Sequence, residues 1–289
     1  MEYPFQPEVL DALPEELAEL FRALEITLLE EICSRLNAAD QLNEVTVQDI
    51  RALRTHGIDL KSIEKAISDT SGISKTKLDK LLDDVVERNQ KYYTEIIDLA
   101  HLTQPETLVD AAEVAAIRTQ TLDTFRNLTA SIGFLVDNGR TMLSPAKAYQ
   151  WALDNAVMQV QNGVINYNQA IKTVVKQLAD SGLKAVDYES GHREQIDVAA
   201  RRSVMTGVSQ ICARYTEQSA EYLETPYFEV SAHAGARDKP GPSLWSNHKD
   251  WQGKVYSVQT GDIYPSIYEV CGLGAVDGLE GANCRHRRN

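Results

Sequence analysis

Apolar residues recur at every third and fourth position along most of this chain, and the period changes only after Pro226. Between residues 14 and 36, Leu17, Leu20, Phe21, Leu24, Ile26, Leu28, Leu29, Ile32 and Leu36 place an apolar stripe on one helix. Pro14, Glu15 and Glu16 suit its first turn, where a missing donor is harmless and negative charge meets the helix dipole. Two short helices are predicted around Val47–Leu53 and Leu60–Ile67, with Gly57 as the stop between them. Longer helices are predicted over 74–99 and 106–133, then over 145–161, 166–181 and 194–223. The last carries an apolar face of Val198, Ala199, Val204, Val208 and Ile211.

Beyond Pro226, Tyr227–His233 and Lys254–Val258 read as strands, joined by a long loop containing Pro240-Gly241-Pro242. The expected fold is α+β: a mainly helical N-terminal half, then helices plus a small antiparallel sheet. Asn138–Ser144 reads as the boundary, with Ser144 capping a helix that begins at Pro145, giving domains 1–140 and 141–289.

Charge is divided unevenly across that boundary. Residues 1–140 hold 14 Lys/Arg against 26 Asp/Glu, so most of the net −13 lies there. Such a half is a poor partner for phosphates, and nucleic-acid contact elsewhere is left open. The basic run Arg285-His286-Arg287-Arg288 is expected to be solvated. No CxxC pair occurs among Cys33, Cys212, Cys271 and Cys284, so free thiols in a reducing compartment are expected. No run of eighteen apolar residues and no leader-like N-terminus is present, which predicts a soluble intracellular product without membrane contact.

Four of the six histidines lie between 192 and 286, among glycines and with Cys271 and Cys284. His233, His248, Cys271, Cys284 and His286 are the residue types zinc favours, but only Cys284 and His286 are close in sequence, and that spacing argues against a metal site. A Cys/His hydrolase would need Cys271 or Cys284 against His233 or His248. A nuclease using His233 or His248 as base and Arg237 against phosphate would lack clustered carboxylates to hold a divalent ion. The expected role of His233, Gly235, Arg237, His248, Trp251, Gly253, Asn283, Cys284 and His286 is therefore to maintain the fold or form an interaction surface. Arg237 and Trp251 would lock the long loop, and no cofactor or catalytic residue is assigned. Tyr149 and Trp151 are expected in the core.

The residues Trp151-Ala152-Leu153, Gly163 with Ala170-Ile171, Ser190-Gly191-His192-Arg193, Ala199–Gly207, His233-Ala234-Gly235-Ala236-Arg237, His248 with Trp251-Gln252-Gly253-Lys254, and Asn283-Cys284-Arg285-His286 occur in one order. In this they resemble the phage minor capsid protein 2 group, related more distantly to head morphogenesis proteins typified by phage Mu protein F. The resemblance implies a structural, non-enzymatic virion protein, made in the bacterial host cytoplasm and assembled in several copies with the portal or inner head. Its partners would be the portal protein, the major capsid protein, or both. It also implies an aromatic-rich continuation after the Asn-Cys-Arg-His motif, where this sequence has only Arg287-Arg288-Asn289. The alternative is a metal-dependent or Cys/His enzyme packaged in the phage head. Acidic helices that enter a partner's groove are the expected mode of binding.

Overall fold

The computed structural model describes residues 3–38, 61–161, 167–186, 192–281 and 284–289. The fold is α+β, and it divides into two compact units. One comprises Met1–Glu15, Leu78–Leu122 and Arg202–Asn289; the other comprises Glu16–Lys77 and Asp123–Arg201. Each unit therefore draws residues from both sides of position 140.

Among the described residues the helices are α1 (Pro7–Ala12), α2 (Glu15–Ala38), α3 (Lys61–Leu99), α4 (Ala111–Ala130), α5 (Pro145–Gln161), α6 (Tyr167–Ser181), α7 (Ile196–Tyr222) and α8 (Ile267–Cys271). The α2 stripe buries Leu17, Phe21, Leu24, Leu28 and Ile32 at steps of three and four, with Ala18 beside them. In α3, Leu78, Leu82, Val85, Asn89, Tyr93 and Ile97 are buried with the same rhythm. Two residues assigned to apolar stripes lie outside them: Ile26 is 57% exposed and Val198 45% exposed. Each falls about a quarter turn or more away from the positions that face the core. The expected helix over 74–99 is the C-terminal part of α3, which runs unbroken from Lys61. The predicted stop at Gly57 lies outside the described residues.

In the unit containing α5 and α6, a four-stranded antiparallel sheet has the order β2-β1-β3-β4. Its strands are β1 (Gly133–Val136), β2 (Thr141–Leu143), β3 (Leu183–Val186) and β4 (Arg193–Gln195). The register pairs Phe134 with both Leu143 and Leu183. The segment read as a boundary is instead the β1–β2 hairpin, and Asp137, Asn138 and Gly139 all take positive φ there. These are the residue types that tolerate such a turn. Helix α5 does begin at Pro145, and its buried Ala148, Ala152 and Ala156 form a close-packing face. Tyr149 is buried as expected, Trp151 only partly so. Helix α6 packs against α5 and β1, burying Ala170, Ile171, Val174 and Leu178. The Phe21 and Phe125 rings meet at 5.6 Å in this core.

The other unit contains the two-stranded sheet of β5 (Tyr227–Glu229) and β6 (Val255–Ser257). Phe228, Val230, Trp251, Tyr256, Ile267, Cys271, Leu279 and Cys284 form one apolar cluster around it. Tyr93 and Thr216 hydroxyls pair at 2.7 Å within the same unit, and Asn89 donates to the Val85 carbonyl and to Cys212 Sγ. Gly207 lets α7 approach α4 closely, because a Cβ there would stand 2.4 Å from Thr121 Oγ1. The basic terminal run is solvated only at Arg285, which is exposed: Arg287 and Arg288 are 2% and 4% exposed. Arg288 bridges Val230 in antiparallel fashion and pairs with Glu217 and Glu280, partners that spacing along the sequence does not reveal. Among the described residues no helix is long and apolar enough to cross a membrane.

Candidate functional site

The return of the last residues beside β5 creates the site. Glu229 and Asn289 exchange backbone hydrogen bonds at 3.1 and 2.8 Å, and Ser231 N–H donates to the Arg287 carbonyl at 2.9 Å. Arg287 N–H donates in turn to Ser231 Oγ at 2.9 Å. This pairing places Cys284 and His286 next to the short 3₁₀ turn His248–Asp250. Gly253 ends that turn at φ +67°, where its N–H donates to the Val230 carbonyl at 2.8 Å. A residue with a Cβ would be strained in this backbone conformation and would crowd Ala232.

Three buried side chains converge there. His248 Nδ1 and His286 Nδ1 are 3.4 Å apart, and Cys284 Sγ is 3.7 Å from each. The outer edges of both rings are anchored. His248 Nε2 is 2.9 Å from the Asp277 carbonyl oxygen, which can only accept, so the ring proton sits on Nε2. His286 Nε2 is 3.0 Å from Gln252 Oε1. That oxygen also accepts from the His233 backbone N–H at 3.0 Å, so the amide orientation is set and His286 likewise donates through Nε2. Both Nδ1 lone pairs therefore point inward.

Electrostatics agree with neutral rings. Burial, reinforced by repulsion from His233 and His248, pushes the His286 imidazole down to about 3. Burial also lowers His248 and His233. The Cys284 thiol is pushed up by burial, against a smaller lowering from its backbone contact with His286 and from Arg287. Trp251 closes the apolar side, its ring 4.5 Å from His248 and 5.0 Å from His286. Its indole N–H donates to the Trp245 carbonyl at 2.8 Å.

Of the residues singled out from sequence, His233, His248, Trp251, Gly253, Cys284 and His286 are thus brought together, while Asn283 lies outside the described residues. The His233 ring is 4.7 Å from His286, and its Nδ1 accepts the Gly235 N–H at 3.0 Å. Arg237 donates to the Asp277 carbonyl at 3.1 Å and so does help hold the long loop. Cys271 is not part of the convergence: it lies in the apolar core, where burial pushes its thiol up to about 12. Two organising residues had no assigned role. Gln252 orients His286, and Asp277 accepts from His248 and Arg237 through its carbonyl while its carboxylate accepts from Trp245 Nε1 and Ser246 Oγ at 2.9 and 2.5 Å. Gln252 stands inside the His248–Lys254 motif, whereas nothing in sequence marks Asp277.

Chemically, two imidazole nitrogens and one sulfur facing a common point form a donor set for a borderline-soft cation. An attacking thiolate would need a lowered thiol pKa, the reverse of what burial imposes on Cys284 and Cys271. No curated protein and no solved structure matches the chain significantly. The family described as phage minor capsid protein 2 matches residues 5–289, taking in both units and the whole His/Cys cluster, and the chain belongs to that family.

Proposed function

We propose that this protein connects other head components during virion assembly, docking on the portal or inner head through acidic outer helix faces rather than acting as an enzyme. Membership of a structural capsid family makes it a minor component of a phage virion. The observation that carries the finer reading is where the acidic residues go once the core has formed. The apolar stripes of α2 and of α3 from Leu78 onward are buried, so they are not available to a partner's groove. The outward face of α2 instead presents Glu16, Glu19, Ala23, Ile26 and Glu30. Such a face suits a basic partner surface, with recognition that weakens as salt rises. A second contact is available between 244 and 276, where Leu244, Ile263 and Val276 are each more than three-quarters exposed. Synthesis in the host cytoplasm followed by packaging is part of the same reading.

The test is cosedimentation of the full chain with purified portal rings and, separately, with capsid protein. Removing residues 1–140 would strip parts of both units, so charge reversal on the intact chain is the cleaner perturbation. Glu19→Lys with Glu30→Lys should weaken binding roughly 3-fold to 30-fold, taking about 0.3–1 kcal/mol per exposed contact. Binding to neither partner would refute the proposal, and absence from mature particles would make the protein a departing scaffold. The packaged Cys/His enzyme reading predicts a reactive thiol; the raised Cys284 and Cys271 pKa values favour the structural role.

A further inference from the structure

We infer that His248, Cys284 and His286 bind a zinc-class divalent cation that fastens the terminal segment to the 248–251 turn. This inference does not rest on portal docking. A tetrahedral zinc with bonds of about 2.05 Å to nitrogen and about 2.3 Å to sulfur holds its ligand atoms about 3.3 Å apart for nitrogen to nitrogen and about 3.6 Å for nitrogen to sulfur. The corresponding separations are 3.4 Å between the two Nδ1 atoms and 3.7 Å from Cys284 Sγ to each. Three edges of the expected tetrahedron are present in the fold.

Hydrogen bonding within the protein does not resolve this arrangement. Each neutral ring has one proton, and both protons are committed outward, to the Asp277 carbonyl and to Gln252 Oε1. Two buried lone pairs consequently oppose each other, and the single Cys284 S–H can satisfy only one of them. A cation satisfies both and displaces the thiol proton, leaving a thiolate ligand. The outward oxygens then act as the supporting partners that orient and enrich metal-bound imidazoles. Mixed nitrogen and sulfur ligands favour zinc over magnesium or calcium, which prefer oxygen.

His233 stands beside the site without being a ligand. Its Nδ1 accepts the Gly235 N–H, so its own proton is on Nε2. Among the described residues no fourth Cys, His, Asp or Glu atom joins the group, and water completes the coordination. The ligands come from positions 248, 284 and 286, so the bound cation ties together backbone segments 36 or more residues apart along the chain.

The decisive measurement uses the full chain purified without chelator, with zinc quantified after gel filtration and cobalt(II) titrated into the stripped protein. Expected are about one ion per chain and the strong near-ultraviolet thiolate-to-cobalt charge-transfer band of a tetrahedral site. Cys284→Ser should abolish that band, whereas Cys33→Ser should leave it intact. Gln252→Ala should weaken metal affinity about 10-fold to 100-fold, and His233→Ala should retain full stoichiometry. Removing zinc should lower the thermal midpoint, with recovery on adding it back. Wild-type chain that retains no zinc, a cobalt spectrum without the thiolate band, a band that persists in Cys284→Ser, or loss of metal in folded His233→Ala would each overturn the assignment. The wild-type titration remains decisive even if a variant fails to fold.

Discussion

Replacing Arg288 by Ala removes a guanidinium that is 4% exposed and held by Glu280 through two contacts, Nε to Oε1 at 3.0 Å and Nη2 to Oε2 at 2.8 Å. Glu280 is itself only 11% exposed, so the substitution strands a largely desolvated carboxylate, at a cost of about 3–5 kcal/mol. Glu217, 43% exposed and 2.9 Å away, adds at most about 1 kcal/mol because water screens it. The cation also lies 5.4 Å from the Phe228 ring centroid, an interaction of about 0.5–1 kcal/mol. Glu280 occupies the left-handed backbone region at φ 60°, so the ion pair also helps to hold an unfavourable local conformation. A loss of about 4 kcal/mol is expected, which corresponds to a fall of roughly 8–16 °C in thermal midpoint. Trp245 and Trp251 report from the same unit by fluorescence. The companion variant is Arg288→Met with Glu280→Leu, in which no buried charge is stranded; it should recover most of the loss. A loss below about 1 kcal/mol, or no coupling between positions 288 and 280 in the double-mutant cycle, would show that the buried pair does not hold this terminus in place.

Gly207→Ala should destabilise by about 1–3 kcal/mol, since the new methyl meets Thr121, and Thr121→Ala should rescue it; urea denaturation that gives the same loss in both backgrounds would refute the close-approach argument. Asp262 accepts from the Ile263 N–H and the Ser257 hydroxyl, which hold its carboxyl below the usual carboxylate range. Its contribution should therefore be present above the ordinary aspartate pKa and lost as pH falls through the lower folded value. An NMR titration midpoint at or above the ordinary value would contradict this, and Asp262→Asn should remove the pH dependence assigned to it.

Helices were the legible part of the fold because an apolar stripe is a local property: Leu17 to Ile32 and Leu78 to Ile97 announce their buried faces by spacing alone. The four-stranded sheet is not, because its strands are only three or four residues long. Gly133–Val136 is a four-residue apolar run that continues the preceding helical pattern, and its pairing with Lys184 and Leu183 lies about fifty residues away. The Asn138-Gly139 turn reads as a boundary from sequence alone, since a hairpin is recognisable only once its flanking strands are. At the candidate site, the residue types were legible and their meeting was not. The separation from His248 to Cys284 counted against a shared ion, yet the backbone pairing of Arg287 with Ser231 brings the two to 3.7 Å. Likewise, Arg287 and Arg288 look like a solvated tail until Ser209, Glu217 and Glu280 are folded around them.

The interleaving of distant segments in one unit also dictates an order of events at the ribosome. Arg285 pairs with Asp11 across 274 positions, and residues 287–289 pair with the backbone of Glu229–Ser231. At about 5–20 residues per second, roughly 15–55 s separate the emergence of those two partners. Throughout that interval the N-terminal helix lacks its final neighbours, so closure is necessarily late. A copy whose translation stops short of Cys284 leaves this unit unfinished and open to proteases instead of yielding a smaller, assembly-competent substitute.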